Sequence, residues 1–110
     1  MNFAGILAGG QGKRMGKTDL PKQFLMLGEK PILIHTIEQF IISKDIDRIV
    51  IAVPETWIDY TKDIINKYCE EERIAVIEGG VNRNDTIMNI CNYIKNNFNV
   101  TEEDIIVTFE

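Results

Sequence analysis

The segment FAGILAGGQGKRMGKTDLPKQF, residues 3–24, joins a short apolar run to a loop that holds four of the chain's eight glycines. Residues 3–8 predict a buried β-strand that stops at Gly9 and Gly10. Loop residues continue to about Gln23, and a brief apolar stretch from Phe24 to Leu27 follows. In α/β proteins, ligands bind beyond the carboxyl ends of the strands, which is where this loop lies.

The rest of the chain alternates between two periodicities. β-branched runs predict three further strands, at residues 48–53, 73–77 and 104–108. Apolar residues at helical spacing predict three helices, from Pro31 to about Ser43, from Thr56 to about Cys69, and from Asn82–Asp85 to Phe98. Thr56 and Asp59 match a capping box, so they predict the start of the second helix.

This alternation predicts an α/β fold of the Rossmann-like, three-layer α/β/α type, with a mostly parallel sheet. Four strands make a thin sheet, and no segment follows the last one in the sequence. We therefore expect residues 1–110 to be the N-terminal part of one larger domain.

The amino-acid composition argues against several classes of protein. The net charge is −5, which argues against a general nucleic-acid partner. No apolar run reaches the roughly 18 residues of a membrane span, and no secretory signal is recognisable, so we expect a cytoplasmic protein. The two cysteines are expected to be buried free thiols. Residues 1–30 nevertheless carry five basic and two acidic groups, a local net charge of +3 that suits a small anion.

The glycine-rich loop has the composition of a phosphate site, because glycine lets backbone N–H groups approach a phosphate closely. It matches neither the P-loop spacing, since GKRMGKT has one residue too few between its glycines, nor the dinucleotide fingerprint, which it misses by one residue. A kinase-type glycine loop would need a hairpin that is absent from the predicted elements. From the residues alone, a surface loop with solvated charges remains the alternative.

Two motifs, taken together, resemble those of a known family. LAGGQGKRMG with PKQF, and then GGVNRNDT, resemble the signatures of the cytidylyltransferases that join CTP to sugar-alcohol phosphates. The resemblance covers essentially the whole chain and implies the nucleotide-diphospho-sugar transferase type of the fold, with residues 1–110 as the N-terminal, nucleotide-binding part of a single nucleotidyltransferase domain. The segments IEGGVNRNDTIMN and EDIIVT are more similar in sequence to the branch that uses D-ribitol 5-phosphate. That branch supplies CDP-ribitol for wall teichoic acid or capsule. The alternative branch uses 2-C-methyl-D-erythritol 4-phosphate in isoprenoid synthesis.

The resemblance assigns roles in the first loop. Arg14 and Lys22 match the basic pair that stabilises the pentavalent transition state, in which the substrate's phosphate attacks the α-phosphorus of CTP. A surface ion pair is the alternative for each. The backbone expected to wrap the nucleotide is that of Leu7, Ala8, Gly9, Gly10, Gln11 and Gly12.

The resemblance also assigns the second motif to the base and ribose pocket. Its residues are Gly79, Gly80, Val81, Asn82, Arg83, Asn84, Asp85 and Thr86. The last four open a helix, whose N-terminal N–H groups suit polar ligand atoms. Helix capping is the alternative for Asn84, Asp85 and Thr86, although a ligand contact is favoured for Thr86, and Arg83 is expected to order the loop.

The resemblance implies Mg²⁺ as cofactor, CTP and a polyol phosphate as substrates, and a homodimer in the full-length form. Glu110 stands where the family has a metal-binding aspartate, and Phe109 stands where it has a histidine. The segment expected to grip the sugar phosphate is not in the sequence. A truncated, non-catalytic module that binds CTP is therefore a further alternative to the enzyme.

Overall fold

A computed structural model of the protein describes residues 1–8, 21–69, 71–100 and 105–109. Its main sheet has four strands: β1 (Asn2–Leu7), β4 (Arg48–Val53), β5 (Ile74–Glu78) and β6 (Ile105–Phe109). The strand order is β5-β4-β1-β6, and all three pairings are parallel. The predicted strands are confirmed to within one residue at each end.

Three helices connect these strands: α1 (Ile32–Ile42), α2 (Ile58–Tyr68) and α3 (Arg83–Asn97). They divide the hydrophobic core in two. On one face α1 and α2 cover the sheet, and the largest fully buried side chains there include Ile6, Leu33, Ile37 and Ile51. On the other face α3 packs Ile90 and Ile94 against Phe3, Val50 and Ala52. The predicted three-layer arrangement is thus confirmed, since successive residues of β1 and β4 point into opposite cores.

The parallel register brings the carboxyl ends of the strands to one edge of the sheet. Leu7 pairs with Ala52, and Val53 pairs with Glu78. The strand order reverses at β1, because β4 and β5 lie on one side of it and β6 on the other. In doubly wound sheets, ligands bind at such a reversal.

A small hairpin precedes α1, and the sequence analysis missed it. β2 (Met26–Leu27) pairs antiparallel with β3 (Lys30–Pro31), and Gly28 between them has a φ of +70°. A short 3-10 helix (Lys22–Phe24) leads into this hairpin. A strand of two residues shows no periodicity, so only the glycine marked the turn.

The capping box predicted at Thr56 and Asp59 is wrong. A second 3-10 helix, Glu55–Trp57, follows β4, and α2 begins only at Ile58. Trp57 occupies the N-cap position, and no side chain of the described residues caps this helix. Trp57 packs against the core instead, so tertiary packing overrides the local capping signal.

The cysteine prediction is confirmed for Cys69, which is free and buried; Cys91 is also free but is only partly buried. Among the helices that the structure describes, none is long and apolar enough to cross a bilayer.

Candidate functional site

Two loops flank the carboxyl end of β4. The amide of Ala8 donates a hydrogen bond of 2.9 Å to the carbonyl of Ala52, and the amide of Gly79 donates one of 2.7 Å to the carbonyl of Val53. Each bond extends the parallel ladder by one residue beyond the strands. The segments that leave β1 and β5 therefore start at fixed positions on either side of β4.

The segment after β5, Gly79–Thr86, is closed by its own hydrogen bonds. Asn82 is the N-cap residue of α3. Its side chain accepts a hydrogen bond of 2.9 Å from the Asp85 amide. The Thr86 hydroxyl donates to the Asn82 carbonyl at 2.8 Å and accepts from the Gly80 amide at 3.0 Å. Because both bonds use one hydroxyl, Thr86 ties the glycine turn to the first turn of α3.

Gly80 allows this close approach. A Cβ built on Gly80 would overlap the Cβ of Asp85 and lie 2.8 Å from the Thr86 nitrogen. The same atom on Gly79 would have ordinary contacts, the nearest being the Thr86 hydroxyl at 3.5 Å. Gly80 therefore has a packing reason to be glycine, independent of any ligand.

The predicted pocket residues differ in how they face solvent. Thr86 is only 8% exposed and its hydroxyl is engaged within the turn. Val81 is 75% exposed, and Asn82, Arg83, Asn84 and Asp85 are exposed as well. The capping alternative was stated for Asn84, Asp85 and Thr86, but the side chain that caps α3 is that of Asn82, while the Thr86 hydroxyl donates to the Asn82 carbonyl. Contact of these residues with a nucleotide stays a prediction.

An open cleft of about 480 Å³ lies beside this turn, at the carboxyl edge of the sheet. Its lining combines three carboxylates with apolar surface and backbone: Pro54, Glu55, Glu78, Gly79, Gly80, Val81, Asp85, Met88 and Asn89. Carboxylate and carbonyl oxygens accept hydrogen bonds from amino and hydroxyl groups, while the apolar side chains offer surface to a ring. The cleft is suited to a flat, polar ligand with hydrogen-bond donors.

Five lining residues were missed by the sequence analysis: Pro54, Glu55, Glu78, Met88 and Asn89. Pro54 directly follows β4, so its place at the carboxyl edge follows from the parallel sheet. Met88 and Asn89 lie three and four residues after Asp85 on α3, which puts them on the same helix face. Both signals were available in the sequence.

Lys22 lies in the segment between β1 and α1. It is exposed and begins the 3-10 helix Lys22–Phe24, while Phe24 is 1% exposed. The Phe24 amide donates to the Pro21 carbonyl at 2.9 Å, and the Leu25 amide donates to the Lys22 carbonyl at 3.2 Å. Gln23 lies between Lys22 and Phe24 in this helix. Its side-chain amide oxygen is buried, and no described residue donates a hydrogen bond to it.

The hairpin that follows is tied to α1. His35 donates from Nε2 to the Leu27 carbonyl at 2.7 Å, and Lys30 pairs with Glu38 at 2.7 Å. The hydrogen bond from Lys30 to Glu38 raises the pKa of the Lys30 ammonium above its usual value. His35 thus has a structural partner in the backbone of the hairpin.

The other pKa shifts belong to the fold. Burial raises the pKa of the Cys69 thiol, and a hydrogen bond from Arg73 lowers the pKa of the Glu71 carboxyl. Arg73 also donates to the carbonyls of Ile46 and Ile41, and it directly precedes β5, at the sheet edge opposite the cleft.

Several predicted site residues lie outside the described residues: Gly9, Gly10, Gln11, Gly12, Arg14 and Glu110. Within residues 1–8, 21–69, 71–100 and 105–109, no group of three or more His, Cys, Asp or Glu side chains could hold a metal ion. Leu7 and Ala8, by contrast, are placed at the end of β1 as predicted.

Comparisons with known proteins agree on one family. The family model described as IspD, 2-C-methyl-D-erythritol 4-phosphate cytidylyltransferase, matches residues 3–102. The ribitol-5-phosphate cytidylyltransferase of Lactiplantibacillus plantarum is 47% identical over all 110 residues, which cover 47% of that protein. The chain therefore spans about half the length of this curated relative.

Among solved structures, the chain is similar to the crystal structure of 4-diphosphocytidyl-2C-methyl-D-erythritol synthase from Anaerococcus prevotii DSM 20548. The TM-score is 0.68 at 20% identity, over 97% of this chain and 42% of that chain. This likeness concerns the fold, and it agrees with the sheet and helices described above.

Proposed function

The chain belongs to the IspD family of cytidylyltransferases, and we propose that it catalyses the transfer of a cytidylyl group from CTP to a polyol phosphate, namely D-ribitol 5-phosphate. The observation that carries the choice of substrate is the 47% identity to a ribitol-5-phosphate cytidylyltransferase along the whole chain. In the reaction, a phosphate oxygen of the polyol phosphate bonds to the α-phosphorus of CTP. The bond from that phosphorus to the bridging oxygen breaks, and pyrophosphate leaves, giving CDP-ribitol.

We assign the two parts of the nucleotide to two different segments of the chain. The cleft beside Gly79 and Gly80 would hold the base and ribose, because its carboxylates accept bonds from amino and hydroxyl groups. Lys22, in the segment between β1 and α1, would neutralise charge on the phosphates as the transition state forms. Arg14 and the backbone of Gly9–Gly12 would complete the phosphate site, as the resemblance implies.

Mg²⁺ is part of the proposal. β6 ends at Phe109, which pairs with Ile6 of β1, and Glu110 is the next residue in the sequence. Mg²⁺ commonly takes one or two carboxylates and fills its other positions with phosphate oxygens and water, so a single carboxylate fits its needs. When bound, the ion would neutralise triphosphate charge, and Glu110 would be its protein ligand.

A pyrophosphate-release assay tests this function. The protein is given CTP and Mg²⁺ with D-ribitol 5-phosphate or with 2-C-methyl-D-erythritol 4-phosphate, and UTP replaces CTP in a control. We expect release with CTP and D-ribitol 5-phosphate. Release with the erythritol phosphate instead would support the isoprenoid alternative.

Thermal unfolding separates the enzyme from the binding module. A CTP-dependent rise in Tm without pyrophosphate release would support the non-catalytic alternative, since a ligand that binds the folded state raises its stability. No rise and no release would contradict both. The homodimer implied by the resemblance and the cytoplasmic location expected from the sequence are also proposals, and sedimentation tests the first.

A further inference from the structure

We propose that three aromatic side chains, Phe24, Trp57 and Tyr60, position Lys22 and connect it to the nucleotide cleft. This set is called the aromatic clamp below. The inference rests on the proposed function, because it assigns to the clamp an effect on the reaction that passes through Lys22. None of the three rings is expected to touch a substrate.

The rings form a closed triangle. The centroid of Phe24 lies 5.3 Å from that of Trp57 and 5.0 Å from that of Tyr60. Trp57 and Tyr60 meet edge to face, with centroids 5.4 Å apart and planes at 86°. Each pair falls within the range where aromatic contacts add to simple burial. The ring of Phe24 is thereby held by residues more than thirty positions later in the chain.

The position of Lys22 depends on the aromatic clamp because the segment that carries Lys22 is short. The 3-10 helix has three residues, and its backbone is closed by the two hydrogen bonds to Pro21 and Lys22. Since a 3-10 helix rises by about 2 Å per residue, Lys22 and Phe24 are separated by only about 4 Å along its axis. A shift of the Phe24 ring therefore moves the Lys22 backbone with it.

The other side of the clamp reaches the cleft. The Trp57 amide donates to the Pro54 carbonyl at 2.8 Å, and the fully buried Thr61 donates its hydroxyl to the Trp57 carbonyl at 2.6 Å. Pro54 and Glu55 line the cleft. The 3-10 helix Glu55–Trp57 thus contacts Phe24 at one end and borders the cleft at the other.

A double-mutant cycle tests the clamp. Phe24→Leu keeps an apolar side chain in the core but removes the ring, and we expect kcat to fall by about tenfold to a hundredfold, as for a small misplacement of a catalytic group. In a Lys22→Ala background, Phe24→Leu should lower kcat no further, because its effect acts through Lys22. Trp57→Phe should retain most of the activity, and Trp57→Leu should not.

Ile90→Val is the matched control. Ile90 is fully buried in the core on the opposite face of the sheet, so its loss of packing should combine additively with Lys22→Ala. An additive effect of Phe24→Leu, like that of Ile90→Val, would overturn the proposal and leave a purely structural role for the ring. An unchanged kcat in Phe24→Leu would overturn it as well.

Fluorescence provides a readout that does not need turnover, because Trp57 is the only tryptophan of the 110-residue sequence. Inorganic tripolyphosphate should change the emission of the unaltered protein but not that of Lys22→Ala; Lys62→Ala, which removes an exposed lysine of α2, should behave like the unaltered protein. A Lys22-dependent change without pyrophosphate release would support the clamp while the proposed activity fails. Pyrophosphate release with no such change would overturn the clamp alone.

Discussion

Two segments of the candidate site, Gly79–Thr86 and the 3-10 helix Lys22–Phe24, are held in place by different means. Gly79–Thr86 is closed by short-range hydrogen bonds, in which Asn82 and Thr86 bind backbone groups within six residues. The Lys22 segment is held by rings contributed from Trp57 and Tyr60, far along the chain. The first segment is therefore a local structure that the sequence encodes directly, and the second depends on the packing of the whole fold.

The largest expected effect concerns the exposed end of the Lys22 segment. Lys22→Ala should lower kcat by about 100-fold to 1,000-fold, the usual loss when one group that stabilises transition-state charge is removed. Tm should hardly change, because the side chain is exposed. Steady-state pyrophosphate release measures the effect, with Lys62→Ala as the control. Equal losses in both variants would mean that general positive charge, rather than the position of Lys22, matters.

The next effect concerns the glycine turn. Gly80→Ala should destabilise the protein by about 1–3 kcal/mol, because the new methyl overlaps Asp85 and must displace the turn or the start of α3. Gly79→Ala is the matched control, since its methyl would have ordinary contacts. Denaturant unfolding measures both. If the two variants were equally stable, the turn would not be packed as closely as described.

A smaller effect is expected from Thr86→Val, which keeps the shape and removes the hydroxyl. The Gly80 amide loses its acceptor, so we expect a loss of about 1 kcal/mol in the free energy of unfolding. Thr86→Ser should restore most of it. If the hydroxyl also bound nucleotide, Thr86→Val would raise the Kd for CTP far more than this loss of stability accounts for.

The smallest effect has the opposite sign. Gln23→Met replaces a buried amide oxygen that no described residue satisfies, so the free protein should gain up to about 1 kcal/mol. Thermal unfolding measures the gain, and Gln23→Glu, which would bury a charge there, should lose stability instead. A loss in Gln23→Met would show that the oxygen has a partner in solution.

Sequence reasoning recovered the parts of the fold that depend on local periodicity. The strand at residues 48–53 and the opening of a helix within residues 82–85 were predicted because β-branched runs and polar helix starts act over a few residues; α3 begins at Arg83. The capping box at Thr56 failed because Trp57 is drawn into an aromatic contact that no local pattern reveals. A contact between residues as distant as Phe24 and Tyr60 requires the three-dimensional fold.

The same limit applies to the candidate site. The glycine turn after β5 was found through its motif, but Met88 and Asn89 were not, although their helical spacing from Asp85 brings them to the same cleft. For Arg14 and Glu110 the assignment depends on the family resemblance alone, since both lie outside the described residues.

The central position of β4 also bears on how the protein opens. Its residues contribute to both cores, and its last carbonyls accept bonds from Ala8 on one side and Gly79 on the other. Amide protons of β4 should therefore exchange with deuterium only when the whole sheet unfolds, whereas those of the two-residue hairpin should exchange through local fluctuations. A nucleotide in contact with both neighbouring segments would slow amide exchange in the two segments together, because opening either segment would first require the nucleotide to dissociate.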